Sequence, residues 1–361
     1  VKALSGKNIL IVSPEAWGTS RLSKHHYAVT LARRGNQVFF LNPPTEKGPR
    51  LSVPEKDLTL SVMNYHAGVQ GLRHMPSFLR RIFAHWNLRK VESIIQDKID
   101  VVWSFDPSRF ISSKSCRNIF HTVDHIEESI FKLAVESTDL VLSVSPELIP
   151  SSYIGANNIG HGTTGFKEVE AIDLPGSNKA KALYSGNLLI PYLNRKLMLD
   201  LVGENPTVDF IFCGSHSKGN LNPHPDTESE EWIENLKQAP NVHLTGELDI
   251  DQLHAHIAAA DVLLCAYDHK KYPKRIVNSH KLLEYLASGK TTISSTIPGY
   301  PEDLIAFYED DQGFKDGFRD ALTSLHESND AEIVRKRRDY ASEFTYKKQV
   351  EKIEGLLSKH E

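Results

Sequence analysis

Cysteine is scarce: three in 361 residues, Cys116, Cys213 and Cys265, widely separated and set in or beside apolar runs. That spacing excludes a disulfide framework and offers no zinc pattern, so buried thiols in a reducing cytosol are expected. Long apolar stretches are missing too. No run approaches the roughly 18 residues of a membrane span, and the start, VKALSGKNILIVSPE, meets Gly6 and Lys7 before any hydrophobic segment. Neither a membrane helix nor a signal peptide is expected. Neither sign of charge dominates: 42 Lys and Arg against 46 Asp and Glu leave −4, which excludes the strongly basic surface of a general nucleic-acid binder and an acidic disordered tail. With 21 Gly and 18 Pro, collagen-like and low-complexity classes are excluded as well.

What the chain has is alternation. Short β-branched and aromatic runs at 8–12, 37–41, 101–105, 118–121 and 140–144 read as buried strands, with helical patterns in several of the gaps. A second series follows at 182–184, 208–213, 242–244, 262–266 and 291–294. A chain of this length suits two domains, and two strand–helix series imply an α/β protein with two parallel sheets. Residues 163–181 carry Gly165, Pro175 and Gly176 without a sustained apolar period and read as the linker, where a cleft should open. Beyond Gln312 the chain reads as charged helix, and the block Arg335 to Arg338 as a solvated face.

The first strand ends in SPEAWGTSR rather than a G-x-G-x-x-G turn, and the second in FFLNPP, without the acidic ribose ligand of a dinucleotide site. A nicotinamide dehydrogenase is therefore disfavoured. Gly18 still lies past a strand end, where open α/β sheets bind ligands, and an ordinary turn glycine accounts for it equally well.

The most informative segment is NSHKLLEYLASGK, Asn278 to Lys290. Asn278 can cap a helix whose first turn offers free N–H groups and a positive dipole end, suited to phosphate, and Gly289 ends it. At about 100° per residue, Leu282, Leu283, Leu286 and Ala287 form one face and Lys281, Glu284 and Ser288 the other. Periodicity alone favours a surface helix with a Lys281–Glu284 pair. The functional reading has Glu284 accept two ribose hydroxyls and Lys281 neutralise a diphosphate. The loop from Asp268, DHKKYPKRIVNSHK, is dense in cations and suits either a phosphate clamp or a merely solvated turn.

FHTVDHIEES, Phe120 to Ser129, sets His121, Asp124 and His125 near a strand end, where a base for a hydroxyl acceptor belongs. The histidines have no third partner at metal-ligand spacing, so no metal site is expected. RHMPSFLRRIFAHWNLRK, Arg73 to Lys90, mixes five Lys and Arg with Phe78, Ile82, Phe83 and Trp86 and holds no acid. It reads as a basic amphipathic helix, with Pro76 in its first turn, fit for an anionic membrane surface over 76–90 or for core packing with a basic outer face.

KLLEYLASGK, Lys281 to Lys290, resembles the signature of glycosyltransferases built from two facing Rossmann-like domains, the GT-B architecture. The stretches 242–268, 182–188 (ALYSGNL) and 159–162 (IGHG) are similar to the segments that flank it in group-1-type, family-4-like enzymes. RLSKHHYAVTLARRGNQVFFLNPP, 21–44, is similar to bacterial transferases of polysaccharide and teichuronic-acid assembly. The resemblance implies an acceptor domain over 1–170, a nucleotide-sugar domain over 171–335 and a last helix over 336–361 packing back on the first. It implies transfer of a sugar from a nucleotide diphosphate donor, UDP-linked, to a glycan or lipid-linked acceptor, without metal, cofactor or nucleic acid. The place of action it implies is the cytoplasm or the inner face of the cytoplasmic membrane.

Donor contacts then fall to Gly186, Asn187, Gly214, Tyr267, Lys274, Arg275, Ser279, Lys281 and Glu284, and acceptor contacts to Gly18 and Arg21. The base falls to Asp124, which aligns with the acid of inverting relatives, with His121 and His125 as rivals. Two positions depart from the pattern. Ile276 stands where many retaining relatives carry a first glutamate, and Asn187 where they carry an arginine, so Arg195, Lys196, Lys274 or Arg275 would have to assist Lys281. A nucleotide-sugar epimerase on the same scaffold and a catalytically silent nucleotide-sugar binder are the competing functions.

Overall fold

The computed structural model describes residues 4–18, 21–45, 49–66, 71–170, 172–217, 227–273, 275–276 and 278–359. The chain forms two compact units, residues 1–160 with 346–361 (unit 1) and residues 161–345 (unit 2).

Unit 1 is built on one sheet of β1 (Asn8–Val12), β2 (Gln37–Leu41), β3 (Arg50–Ser52), β4 (Leu60–Asn64), β5 (Val101–Ser104), β6 (Arg117–Thr122), β7 (Leu140–Ser143) and β8 (Asn157–Asn158). The order is β3-β4-β2-β1-β5-β6-β7-β8, parallel apart from β3, which runs antiparallel to β4 with Leu51 opposite Met63. Its helices include α1 (Ser23–Arg33), α2 (Ser77–Ile95) and α3 (Glu128–Val135). The strands are apolar at successive positions because both faces are covered. Ile9 and Ile11 of β1 share one cluster with Tyr27, Ala28 and Leu31 of α1, while Leu10 and Val12 share another with Leu88 and Val91 of α2.

Unit 2 carries β9 (Ala180–Ser185), β10 (Val208–Cys213), β11 (Val242–Gly246), β12 (Val262–Cys265), β13 (Thr291–Ser295) and β14 (Ala306–Tyr308) in a parallel sheet of order β11-β10-β9-β12-β13-β14. Its helices include α4 (Arg195–Glu204), α5 (Thr227–Gln238), α6 (Ile250–Ala259), α7 (His280–Ser288), α8 (Asp311–Thr323), α9 (Leu325–Ser328) and α10 (Ala331–Ser342). The chain then returns to unit 1 as α11 (Tyr346–Ser358), whose Val350, Ile353 and Leu357 join the cluster of α1.

Expectation and structure differ at several points, each for a physical reason. The helix of the key segment begins at His280 with Ser279 at the cap position, making no side-chain cap bond, and Asn278 sits at φ 45°. Ser288 is buried and donates to the Tyr285 carbonyl at 2.6 Å rather than joining the polar face. Helix α2 starts one residue after Pro76 and runs on to Ile95. Of the block Arg335 to Arg338, Arg335, Lys336 and Arg338 are exposed as expected, but Arg337 is not. Arg337 is buried and donates to the carbonyls of Leu304 and Gly289 at 3.0 Å each, and Arg338 donates to that of Ser288. These carbonyls include the unpaired ones at the end of α7, where cationic donors are favoured. Residues 163–170 lie along unit 2, with Phe166 against its core and Lys167 paired with Asp251. All three cysteines are free and buried.

Candidate active site

In unit 2, β9 lies between β10 and β12, so the strand order reverses at the carboxyl end of β9. Open parallel sheets bind ligands at such a point. Gly186 follows β9, Gly214 follows β10, and both have positive φ, 130° and 143°. A Cβ on Gly214 would lie 2.1 Å from the Gly186 carbonyl oxygen, and a Cβ on Gly186 would lie 2.8 Å from Lys281 Nζ. Only glycine fits either position. The two turns thus lie backbone against backbone, with an ammonium group directly beside them.

That ammonium is unusual. Lys281 Nζ is shut away from solvent with no hydrogen-bond partner, 3.6 Å from the centre of the Tyr184 ring and 5.2 Å from that of Tyr267. A cation over aromatic faces is held by their quadrupoles without being neutralised. The ion pair with Glu284 that a simple surface helix would make is not formed; burial instead lowers the Lys281 pKa from 10.5 to about 8. Burial acts on Glu284 in the opposite sense, raising its carboxyl to about 7, with Lys281 pulling it part of the way back. Helix α7 therefore presents a buried ammonium without a hydrogen-bond partner and a carboxyl whose neutral form burial favours.

The helix is fixed at both ends. Tyr285 hydroxyl accepts the Ser185 backbone N–H at 2.8 Å, tying α7 to the end of β9, and Tyr300 hydroxyl donates to the Ser279 carbonyl at 2.7 Å. Tyr267, itself buried, donates its backbone N–H to Ser295 Oγ at 3.0 Å. On the other side of Glu284 stands His254, its Nε2 3.9 Å from Oε1, with the Phe166 ring stacked on it at 4.6 Å. Tyr184, Tyr300, His254 and Phe166 were not singled out from sequence. Tyr184 read as strand core, and only its place just before a glycine turn hinted otherwise.

The remaining donor-site candidates are placed as follows. Asn187 Oδ1 accepts the Leu189 N–H at 2.9 Å and so closes its own turn. Arg195 donates to Ser229 Oγ at 2.7 Å, and Lys196 pairs with Asp200 at 2.7 Å on the surface. Arg275 is exposed, and Lys274 lies outside the described residues. Ile276 is packed in the core of unit 2, so the position of the relatives' first glutamate has become apolar filling.

In unit 1 the equivalent strand-order reversal is stitched by Arg109, which pairs with Asp106 at 2.7 Å and donates to the carbonyls of Asn42 and Ser13. Gly18 is exposed nearby in sequence, and Arg21 pairs with Glu55 at 2.6 Å while lying over the Trp17 ring. Asp124 and His125 are exposed in the bend after β6. His121 is a correction: it is fully buried among the rings of Tyr27, Trp103 and Phe105, and burial lowers its pKa to about 3. An imidazole sealed in the core cannot meet an acceptor. Among the described residues no three of His, Cys, Asp and Glu stand together as a metal-binding group.

Residues 187–326 match the family model described as Glycosyl transferases group 1. The fold of the whole chain is shared with solved structures at low identity. Sucrose-phosphate synthase from Thermosynechococcus elongatus aligns with a TM-score of 0.69 at 13% identity over 98% of both chains. A glycosyltransferase from Rickettsia africae aligns at 0.66 and 14% over 98% of both. Anabaena HepE, solved in complex with UDP and glucose, aligns at 0.65 and 12% over 98% of this chain and 100% of its own. No curated protein matched by sequence. The chain has the two-unit GT-B fold of these enzymes, and its residues 187–326 are similar to group 1 glycosyltransferases.

Proposed function

From that standing we propose that unit 2 binds a UDP-linked sugar and that the sugar passes to a hydroxyl of a glycan or lipid-linked acceptor in cell-surface polysaccharide synthesis. The observation that carries the reading is the buried, unpartnered ammonium of Lys281 against the Gly186 turn, a cation awaiting an anion. The diphosphate would take that place, with the free N–H groups at the start of α7 adding to the field, and Glu284 would accept the ribose hydroxyls. As the bond from the anomeric carbon to the diphosphate oxygen breaks, its electron pair leaves with the diphosphate, and Lys281 stabilises the charge that develops there. The acceptor oxygen forms the new bond and gives its proton to a base. Asp124 is our assignment for that base, with His125 its exposed rival. Ile276, a core residue without a carboxylate, supports an inverting course. No metal is needed in this scheme, since Lys281 and the helix dipole meet the leaving charge.

For a lipid-linked acceptor the relevant surface is α2. Phe78, Ile82 and Trp86 recur every fourth residue and are 62%, 60% and 49% exposed, beside the exposed Arg81, His85, Arg89 and Lys90. Apolar anchors with cations around them suit an anionic bilayer on the cytoplasmic side. No helix among the described residues is long and apolar enough to cross a membrane.

Incubation with a panel of nucleotide sugars, with and without cell glycolipid, tests the reaction. Acceptor-dependent release of UDP is expected. Turnover of donor without acceptor would favour an epimerase, and binding without turnover a silent binder. Sedimentation with anionic but not neutral vesicles, weakened by salt, is expected for α2; equal sedimentation with both would remove the membrane claim.

A further inference from the structure

We infer that His254 is a positioning residue for Glu284: a neutral imidazole whose Nε2–H is aimed at the carboxylate and orients it, ionised, for the two ribose hydroxyls. The inference rests on the donor-site reading above and deepens it.

His254 lies on α6 and is only 2% exposed. Its ring plane is set by the Phe166 stack at 29°. The backbone N–H of Lys167 donates to its Nδ1 at 3.2 Å. A ring nitrogen that accepts carries no proton, so the single proton of the neutral ring resides on Nε2. Nε2 is buried, has no hydrogen-bond partner, and faces Glu284 Oε1 at 3.9 Å. A donor fixed in tautomer, fixed in plane and left unused therefore stands just outside bonding distance of the carboxyl that would hold the ribose. Contacts of this kind often close only when the ligand is bound.

The groups around Glu284 give this N–H a purpose. Lys281 faces it from α7 itself and His254 from α6, and behind His254 the Lys167–Asp251 pair is closed at 2.9 Å on the surface. Burial holds the Glu284 carboxyl at about 7, so at neutral pH much of it would be the wrong form to accept two hydroxyls. A hydrogen bond donated to the charged form shifts that balance toward the carboxylate. Burial also keeps the imidazole itself neutral by lowering its pKa, which preserves both the Lys167 bond and the Nε2–H.

Calorimetric titration with UDP between pH 5.5 and 8.5 tests the assignment on four proteins: wild type, His254→Phe, His254→Gln and Glu284→Gln. His254→Phe keeps a ring for Phe166 but has no donor. It should weaken UDP roughly tenfold at pH 7 and move the acid limb of the affinity profile up by about one unit. His254→Gln, which places an N–H near the position of Nε2, should recover affinity to within about threefold. His254→Leu carries the same expectation as the phenylalanine variant should the latter fail to fold. If the donorless variants bind UDP as wild type does, with an unmoved limb, while Glu284→Gln loses affinity, His254 is only packing and the inference fails. If Glu284→Gln itself binds normally, the ribose reading beneath it fails.

Discussion

Replacing Lys281 by Met separates what the buried charge does for the fold from what it does for the ligand. A lysine whose pKa falls from 10.5 to about 8 has its charged form destabilised in the folded chain by roughly 3 kcal/mol, at about 1.4 kcal/mol per unit. The Tyr184 ring at 3.6 Å returns about 1–2 kcal/mol of that as a cation–π contact. The net penalty at pH 7 is then roughly 1–2 kcal/mol, and a methionine of similar reach should remove it. Since each 1 kcal/mol moves Tm by about 2–4 °C in a domain of this size, the variant should melt roughly 2–8 °C higher. The sign in pH follows from the direction of the shift. Between about pH 8 and 10.5 the unfolded chain holds the proton and the native one does not, so wild-type stability rises through that window and the advantage of the variant closes. Function should move the other way. An ammonium about 4 Å from a diphosphate oxygen is worth about 4 kcal/mol at an effective dielectric constant of 20, and the interaction grows as charge moves onto the leaving group. We therefore expect kcat to fall by at least as large a factor as donor affinity, on the order of 10² to 10³. Scanning calorimetry at pH 7 and 9.5, together with steady-state UDP release, gives both numbers. A variant that melts below wild type at pH 7, or one with normal kcat and only a raised KM, refutes the reasoning.

UDP affinity should follow a bell in pH, rising as Glu284 ionises near 7 and falling as Lys281 loses its proton above about 8; Glu284→Gln should flatten the acid limb, and Glu284→Ala should cost roughly 3 kcal/mol of binding. An acid limb that survives intact in Glu284→Gln would assign it to another group. Asp124→Asn should leave donor affinity unchanged while kcat falls by about 10² to 10⁴, and near-normal turnover there, with loss in His125→Asn, would move the base to His125. Product analysis showing a retained anomeric configuration would end the inverting scheme. Arg337→Ala should cost roughly 3 kcal/mol, because two carbonyls lose a charged donor, and Arg337→Lys should restore part of it; an unchanged Tm in the alanine variant would show that the clamp on α7 is not needed.

How much of this was legible depends on whether burial leaves a periodic trace. Strands β1, β2 and β10 were readable to the residue because a parallel strand covered on both faces is a nearly continuous apolar run, interrupted in β10 by Asp209. Edge strands leave no such run: all three residues of β3 are exposed, and β14 offers only Ala306, Phe307 and Tyr308. The apolar face of α7 was readable for the same reason, and with it the identity of Lys281 and Glu284 as the two groups left over. That the ammonium lies on Tyr184 rather than pairing with Glu284 is a contact between residues nearly a hundred positions apart, and no local pattern encodes it.

The errors are more instructive, because parity could have prevented them. His121 alternates with Phe120 in β6 and so shares the face of Ile119, which points into the cluster between β1 and α11; a residue on that side of the strand cannot serve a ligand beyond its end. Arg337 stands four residues before the buried Ala341 on α10, on the side that faces α7. His254 stands three residues before the buried Ile257 on α6, on the inward side, while His256 is turned outward and bonds the Gln252 carbonyl. In each case a polar residue sits at a core position of its own periodicity, and the structure shows a different resolution for each. Arg337 is satisfied by carbonyls, His121 is held neutral among rings, and His254 keeps one nitrogen satisfied and the other free. Only the last leaves a donor pointed at a site, which is why an inward-facing polar residue with half its hydrogen-bonding capacity spent is the feature that repays a functional test.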